Sequence, residues 1–221
     1  MVWKFRKGSR SLVNLKKLVY LISPNKIHNV FYDHLENVLS ARNVKFFQLR
    51  LKNVKKKRII VIAKKIRKIT KKYKVKLIIN DNPVISKITK ADGCHIGQND
   101  GSITETKKYL KKKILGVTCH NSKSLAKIAV QNKANYLAFG SFGKSKLKPG
   151  AKKANLNILR WAKNNIKKPI VAIGGINNLN YKRLLKSGAK YIAISSYIWD
   201  NPKLKPEIAI RKFKWKLLLL K

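Results

Sequence analysis

Acidic residues are scarce in this chain. Eight Asp and Glu face 53 Lys and Arg, which gives 221 residues a formal net charge of +45. The excess of lysine indicates either a phosphate-rich partner, such as nucleic acid or an anionic membrane surface, or a compositional bias that places lysine on every exposed helix face. The lysines are spread along the whole chain and seldom alternate with aromatic residues, which favours compositional bias, with nucleic acid bound at most non-specifically. In either case the positive potential should attract anionic substrates.

Cysteine is scarce too. Cys94 and Cys119 each lie inside an apolar run, and neither belongs to a CxxC or a metal-ligand spacing. The sequence therefore predicts two buried, reduced thiols and a cytoplasmic protein. No apolar run approaches the length of a membrane span, so we expect no membrane partner.

The chain also lacks an internal linker. No polar or Pro/Gly-rich stretch divides it, which predicts a single domain over residues 17–221. Residues 1–16 (MVWKFRKGSRSLVNLK) form a basic N-terminal extension with no uninterrupted apolar run behind it, so a transit peptide has little support. Nothing in the sequence fixes the oligomeric state, and a homo-oligomer is compatible with it.

Short apolar runs alternate with helix-sized amphipathic segments. The runs are LVYLIS (18–23), KFFQLRL (45–51), KLIIND (76–81), GCHIGQ (93–98), ILGVTC (114–119), YLAFGS (136–141), PIVAIGG (169–175) and YIAISS (191–196). Their content of Ile, Val, Leu and aromatics is typical of strands buried on both faces. Eight strand–helix units of about 27 residues predict an α/β fold, a single (β/α)8 TIM barrel. A doubly wound open sheet would need a glycine-rich first turn, whereas the first turn here reads SPNK.

In such a barrel the active site lies at the C-terminal ends of the strands. The second strand ends in Gln48, Arg50 and Lys52, which alternate and so share one face. Burying two cations and an amide inside the barrel costs free energy unless an anion binds to them, which indicates an anionic substrate. The alternative is that Arg50 and Lys52 already lie in the solvated loop.

Two of the few acidic residues follow neighbouring strands. Asp81 comes after Asn80 at the end of the third strand, and Asp100 follows the fourth. Because adjacent strands lie roughly 5 Å apart, the two carboxylates could share one Mg²⁺. The alternative is helix capping, since both aspartates stand near expected helix starts.

After the sixth strand, Ser145, Lys146 and Lys148 flank a glycine-containing turn that could close over an anion. Gly174 and Gly175 after the seventh strand, with Ser195 and Ser196 after the eighth, match the usual phosphate pocket of these barrels. Backbone N–H groups at a helix N-terminus would hold the phosphate there. The alternatives are a polar loop and ordinary tight glycine turns. Two histidines belong to these strands: His95 is interpreted as a core residue, and His120 as a hydrogen-bonded histidine at the rim, with a catalytic role as the alternative.

These motifs together resemble a known family. QLRLK (48–52), LIINDN (77–82), ADGCHIGQND (91–100), ILGVTCHN (114–121), KSKLKPG (144–150), VAIGGI (171–176) and AISSYIW (193–199) follow the order and spacing of the thiamine phosphate synthase family. The resemblance covers about residues 17–198. ADGxHxGQxD combined with AIGGI is specific to the group that contains this synthase and the aminothiazole tautomerase.

The resemblance implies a Mg²⁺-dependent transferase of thiamine biosynthesis. Such an enzyme joins hydroxymethylpyrimidine pyrophosphate to thiazole phosphate and releases pyrophosphate. The pyrimidine–oxygen bond breaks first, and the thiazole nitrogen captures the resulting carbocation. Charge grows on the departing pyrophosphate, so fixed cations and a metal ion stabilise the transition state more than the ground state.

The resemblance also assigns roles by position. It implies that Gln48, Arg50, Lys52 and Asn80 contact the pyrimidine pyrophosphate, that Asp81 and Asp100 bind Mg²⁺, that Thr118 stands where a serine near the pyrophosphate is usual, and that Gly175 and Ser196 contact the thiazole phosphate. Arg50, Lys52 and Lys148 are the expected catalytic cations.

The loop after the sixth strand departs from the family pattern. It reads KSKLK where the family has close to PTPTK, and Ser141 precedes it where proline is usual. Ser145 can replace the first threonine hydroxyl, whereas Leu147 cannot replace the second, a loss of ~1–3 kcal/mol for one hydrogen bond. The added cations Lys144 and Lys146 could offset part of this loss.

Three other functions remain open at this point. An isomerase of the tautomerase kind shares the fold but needs neither the pyrophosphate contacts nor the metal pair. A non-catalytic relative could bind the ligands without turnover, which the altered loop permits. A basic barrel that binds nucleic acid would not need an inward pair of aspartates.

Overall fold

The computed structural model describes residues 17–144, 150 and 153–213. Eight parallel strands pair in chain order and close into a barrel, which confirms the predicted (β/α)8 fold. The strands are β1 (Val19–Ile22), β2 (Val44–Leu49), β3 (Lys76–Asn80), β4 (Gly93–Ile96), β5 (Ile114–His120), β6 (Tyr136–Gly140), β7 (Ile170–Ile173) and β8 (Tyr191–Ile194). Each strand overlaps one of the eight apolar runs in the sequence. The predicted extension, residues 1–16, lies outside the described residues.

Helices surround the barrel. They are α1 (Phe31–Leu39), α2 (Lys56–Lys72), α3 (Pro83–Ile88), α4 (Ile103–Leu110), α5 (Lys123–Gln131), α6 (Leu156–Asn165), α7 (Tyr181–Lys186), α8 (Ser196–Trp199) and α9 (Pro206–Arg211). Each of the longer ones buries one apolar stripe: α2, for example, buries Ile62, Ala63 and Ile66 and turns most of its lysines to solvent. Val30 directly precedes α1 and is 64% exposed, so it does not belong to the buried stripe of that helix.

Alternate strand residues point into the barrel and fill its N-terminal half. This inward set forms one buried cluster: Tyr20, Ile22, Phe46, Ile78, Tyr136, Ala138, Val171, Tyr191 and Ala193. The Phe46 ring lies at the centre, with centroids 5.3 Å from Tyr20, 5.7 Å from Tyr136 and 5.3 Å from Tyr191. Because aromatic packing fills this end, we expect substrates to bind at the C-terminal ends of the strands.

Both cysteines are buried and free, as predicted. Burial raises the pKa of each thiol to about 12, so neither is a reactive thiolate near neutral pH. Among the described residues, no helix is long and apolar enough to cross a membrane.

Replacing Gly93 by alanine should destabilise the barrel. A Cβ at Gly93, the first residue of β4, would clash with the backbone carbonyl of Ile114 on β5, and backbone cannot yield as a side chain can. We expect Gly93→Ala to reduce the free energy of unfolding by ~1–3 kcal/mol, measured by urea denaturation. Gly150→Ala is the matched control, because no described atom lies within 4 Å of its added methyl group. Equal stability of the two variants would contradict the prediction.

Candidate active site

The end of β2 places one predicted residue inside the barrel and two in the loop above it. Gln48 is buried, and its amide Nε2 donates to Tyr20 Oη at 2.8 Å. Arg50 and Lys52 follow the last residue of β2, which confirms the alternative prediction that both lie in the loop. Both nevertheless stay at the rim, where the Lys52 ammonium pairs with the Asp81 carboxylate.

Ser23, at the end of β1, holds the backbone of Arg50 from both sides. The amide of Arg50 donates to Ser23 Oγ at 2.9 Å, and that hydroxyl donates to the Arg50 carbonyl at 3.2 Å. Ser195 Oγ donates to the Ser23 carbonyl at 3.1 Å, which ties the ends of β8, β1 and β2 together. Sequence reasoning missed Ser23, because a lone serine after a strand carries no distinctive signal. Within the described residues, the Arg50 guanidinium has no hydrogen bond or ion pair and remains available to an anion.

The two predicted metal ligands meet. The carboxyl of Asp81 contacts that of Asp100, and Asp100 Oδ2 also accepts from the Gly97 amide at 2.8 Å. Burial raises the pKa of Asp81, the Lys52 ammonium opposes the rise, and the contact with Asp100 adds to it. Two carboxylates held against each other repel unless a proton or a cation lies between them.

Neither aspartate caps a helix, so the alternative interpretation is wrong. Asn82 caps α3 by accepting from the Ile85 amide, and Ser102 caps α4 by accepting from the Glu105 amide. Both cap positions lie one or two residues beyond the aspartates. The carboxylates therefore face the rim rather than a helix end.

The acidic pair suits a magnesium ion. Mg²⁺ typically takes one or two protein carboxylates, keeps several waters and completes its shell with substrate phosphate oxygens. In the described part of the chain, no group of three or more His, Cys, Asp and Glu side chains could hold a metal ion, so a transition-metal cage is not built here. Among the described residues, Asp81 and Asp100 are the carboxylate pair that could hold Mg²⁺.

A buried chain of polar groups crosses the barrel beneath the rim. Tyr20 Oη lies 2.6 Å from Tyr136 Oη, which lies 2.9 Å from His95 Nδ1, and His95 Nε2 lies 2.8 Å from Thr118 Oγ1. Burial lowers the pKa of His95 to about 4, so its ring is neutral at physiological pH. His95 is a buried residue, as predicted, but it has polar partners on both sides. The two tyrosines escaped notice because inward strand aromatics resemble ordinary core.

The ends of β6 and β7 approach each other closely. Gly174 and Gly175 have φ of +92° and +62°, and a Cβ on either would clash with the β6 loop, at Ser141 and Gly143 respectively. The side-chain amide of Asn180 donates to the Gly175 carbonyl at 2.8 Å and fixes this turn. The glycines are therefore required by backbone geometry and loop contact, whichever ligand binds above them.

Ser195 and Ser196 lie where the phosphate pocket was predicted. Ser195 is the N-cap residue of α8, and its hydroxyl donates to Ser23 rather than capping the helix. No side-chain hydrogen bond from Ser195 therefore caps this four-residue helix. Asn80 is the last residue of β3 and is partly buried. Ser145, Lys146, Leu147 and Lys148 lie outside the described residues.

Comparison with known proteins agrees with this architecture. Residues 19–198 match the family model described as thiamine monophosphate synthase. The chain is 53% identical to the thiamine-phosphate synthase of Pelagibacter ubique over 200 residues, which is 90% of this chain and 97% of that protein. It is 37% identical to the thiamine-phosphate synthase of Erythrobacter litoralis over 188 residues, covering 83% and 88% of the two chains. The structure matches thiamine phosphate pyrophosphorylase from Pyrococcus furiosus with a TM-score of 0.82 at 26% identity, covering 94% of this chain and 99% of that one. The chain belongs to the thiamine monophosphate synthase family.

Proposed function

We propose that this protein is a thiamine phosphate synthase, a transferase that joins hydroxymethylpyrimidine pyrophosphate to thiazole phosphate and releases pyrophosphate. The observation that carries the proposal is the contact between Asp81 and Asp100 beside the Lys52 ammonium. A tautomerase that binds only one phosphate would need neither the acidic pair nor the cations around it. The acidic pair also counts against a barrel that merely binds nucleic acid, because inward carboxylates repel a polyphosphate unless a cation intervenes.

The pyrimidine pyrophosphate binds above β2, β3 and β5. Arg50 and Lys52 supply positive charge to its phosphoryl oxygens, and the hydroxyl of Thr118 donates to them. Gln48 and Asn80 provide amides for the pyrimidine end of the substrate. Mg²⁺, bound by Asp81 and Asp100, would neutralise charge on the pyrophosphate.

The thiazole phosphate binds across β7 and β8. Backbone N–H groups of Gly174 and Gly175 bind its phosphate together with those of Ser195 and Ser196 at the start of α8. By resemblance to the family, Ser145 and Lys148 are expected to contact the substrates, with Lys148 as the third catalytic cation.

The reaction breaks one bond and forms one. The bond between the pyrimidine methylene carbon and the pyrophosphate oxygen breaks with both electrons going to oxygen. The thiazole nitrogen lone pair then forms the new carbon–nitrogen bond, which gives thiamine phosphate and pyrophosphate. No base is needed for bond formation. Fixed cations at the rim act where charge develops, so they lower the barrier more than they stabilise the bound substrate.

The proposal also covers the location of the protein in the cell and its partners. Two reduced thiols are compatible with the cytoplasm. The partners are the two small anionic substrates, drawn in by the net charge of +45, and nucleic acid binds at most through non-specific, salt-sensitive contacts. A homo-oligomer is compatible with this function.

The direct test is thiamine phosphate formation by the purified full-length chain. Product should appear only when both substrates and Mg²⁺ are present, with one pyrophosphate released per product, and EDTA should stop it. Isomerisation of the thiazole without pyrophosphate release would identify a tautomerase instead. Binding of both substrates without turnover by folded protein would identify a non-catalytic relative and reject the proposal.

A further inference from the structure

Five polar side chains form one continuous hydrogen-bonded path across the barrel, from β2 to β5. They are, in order, Gln48, Tyr20, Tyr136, His95 and Thr118, joined by contacts of 2.8, 2.6, 2.9 and 2.8 Å. The first four are at most 5% exposed, and Thr118 is partly exposed at the rim. Buried polar groups are costly in a barrel that aliphatic side chains could fill, so a path of this length calls for an explanation.

Donation along this path runs in a single direction, either from Gln48 towards Thr118 or from Thr118 towards Gln48. Each phenol has a single proton, and a neutral imidazole has a single N–H, so each of the two tyrosines and His95 can donate only once along the path. Gln48 donates from Nε2 to Tyr20 Oη. The buried Tyr20 proton needs an acceptor, and among the described residues the other hydrogen-bond partner of Tyr20 is Tyr136, so Tyr20 donates to Tyr136. Tyr136 then donates to His95 Nδ1, and the His95 proton must lie on Nε2, from which it donates to Thr118 Oγ1.

This order leaves the proton of the Thr118 hydroxyl uncommitted. In the opposite order Thr118 would donate to His95 and would turn lone pairs towards the rim. A phosphoryl oxygen is an acceptor that repels lone pairs, so only the outward order suits an anionic ligand. The outer end of the path is thus a donor, oriented from within the barrel.

The backbone makes room for this path at Gly116. A Cβ at Gly116 on β5 would overlap the end of the Tyr136 phenol ring. The His95 ring stacks on Tyr136 with centroids 5.6 Å apart and an interplanar angle of 18°, which fixes both rings. The absence of a side chain at position 116 therefore lets the Tyr136 hydroxyl reach between Tyr20 and His95.

We infer that Gln48, Tyr20, Tyr136 and His95 act as a relay of positioning residues that holds the Thr118 hydroxyl as a hydrogen-bond donor to the departing pyrophosphate. The identity of that anion rests on the proposed function, whereas the direction of hydrogen-bond donation along the relay does not depend on it. Removing an inner hydroxyl should weaken catalysis only through Thr118. The bond from Thr118 strengthens as charge grows on the leaving group, so the effect should fall on kcat more than on KM.

A double-mutant cycle tests this coupling. Tyr136→Phe should lower kcat roughly tenfold with KM for the pyrimidine pyrophosphate changed less than about twofold. Thr118→Val should lower kcat by at least as much. Adding Tyr136→Phe to Thr118→Val should then change kcat less than about twofold, because the group on which the relay acts is gone. Equal losses from Tyr136→Phe in both backgrounds would overturn the inference.

Tyr191→Phe is the matched control. It removes a phenol hydroxyl from the same aromatic cluster but lies outside the relay. It should leave kcat within about twofold of the unsubstituted protein. A tenfold loss from Tyr191→Phe would show that any phenol in this cluster matters, which also overturns the inference.

A second measurement does not depend on activity. Nitrogen-15 chemical shifts of His95 at pH 7.5 should show a neutral ring protonated on Nε2, with Nδ1 accepting, and Tyr136→Phe should shift the ring towards a mixture of tautomers. Protonation on Nδ1 in the unsubstituted protein would overturn the relay. If the unsubstituted protein forms no thiamine phosphate, the proposed function fails, and the shifts still decide the direction of the relay.

Discussion

Asp100→Asn should lower the rate of thiamine phosphate formation by roughly 10²-fold or more and raise the Mg²⁺ concentration needed for half-maximal rate. The substitution removes one of two carboxylates that touch each other at the rim. It keeps the size of the side chain and an oxygen that can still accept from the Gly97 amide, so the 97–100 turn should persist. The loss should therefore reflect the missing charge rather than a misfolded loop.

Asp33→Asn provides the control for this experiment. Asp33 is exposed in the first turn of α1 and contributes to no strand end. Its replacement should leave both the rate and the Mg²⁺ dependence within about twofold, as for most surface substitutions. The metal assignment would fail if Asp100→Asn kept the Mg²⁺ dependence of the unsubstituted protein, whatever its rate.

The scarcity of acidic residues explains why the sequence already indicated Asp81 and Asp100 as a pair. Acidic residues are eight among 221, so two of them after neighbouring strands form an unusual pattern. The strand ends were predictable because buried parallel strands appear as apolar runs whose spacing is set by the helices between them. What the sequence left open was whether the aspartates capped helices, and the caps proved to be Asn82 and Ser102.

The polar path inside the barrel was not predictable in the same way. Tyr20 and Tyr136 occur in apolar runs, and strand periodicity says only that they point inward. Their hydroxyls meet because β1 and β6 face each other across the barrel, a distance that no local pattern encodes. The role of Ser23 is hidden for the same reason, since it joins the ends of three strands that are far apart in the chain.

The sequence predicts that Gly174 and Gly175 belong to a phosphate-binding site, and the structure gives a second reason for glycine at these two positions. Gly174 and Gly175 have left-handed backbone conformations and pack against the β6 loop, so they would be required without a ligand. The phosphate assignment therefore depends on the neighbouring start of α8 and on family membership. Ser145 and Lys148 remain predictions of the sequence.

Arg50→Gln should lower kcat/KM for the pyrimidine pyrophosphate by roughly 10²–10³-fold. Ser23 fixes the Arg50 backbone through two hydrogen bonds, so the guanidinium extends from an anchored position at the rim. An arginine fork can bind two phosphoryl oxygens at once, whereas the glutamine amide is neutral and shorter. Arg50→Lys should recover part of the loss because it restores the charge without the fork.

The matched control removes the same charge from a neighbouring helix. Arg58 is exposed on α2, and Arg58→Gln should leave kcat/KM within about twofold, although the chain loses one positive charge in either variant. Comparing the two across a salt series separates a local contact from the general attraction of a chain with a net charge of +45, because the general attraction weakens as salt screens it. Equal losses in Arg50→Gln and Arg58→Gln that both vanish at high salt would show that Arg50 acts only through the overall field. A loss confined to Arg50→Gln and retained at high salt would place the Arg50 guanidinium on the pyrophosphate itself.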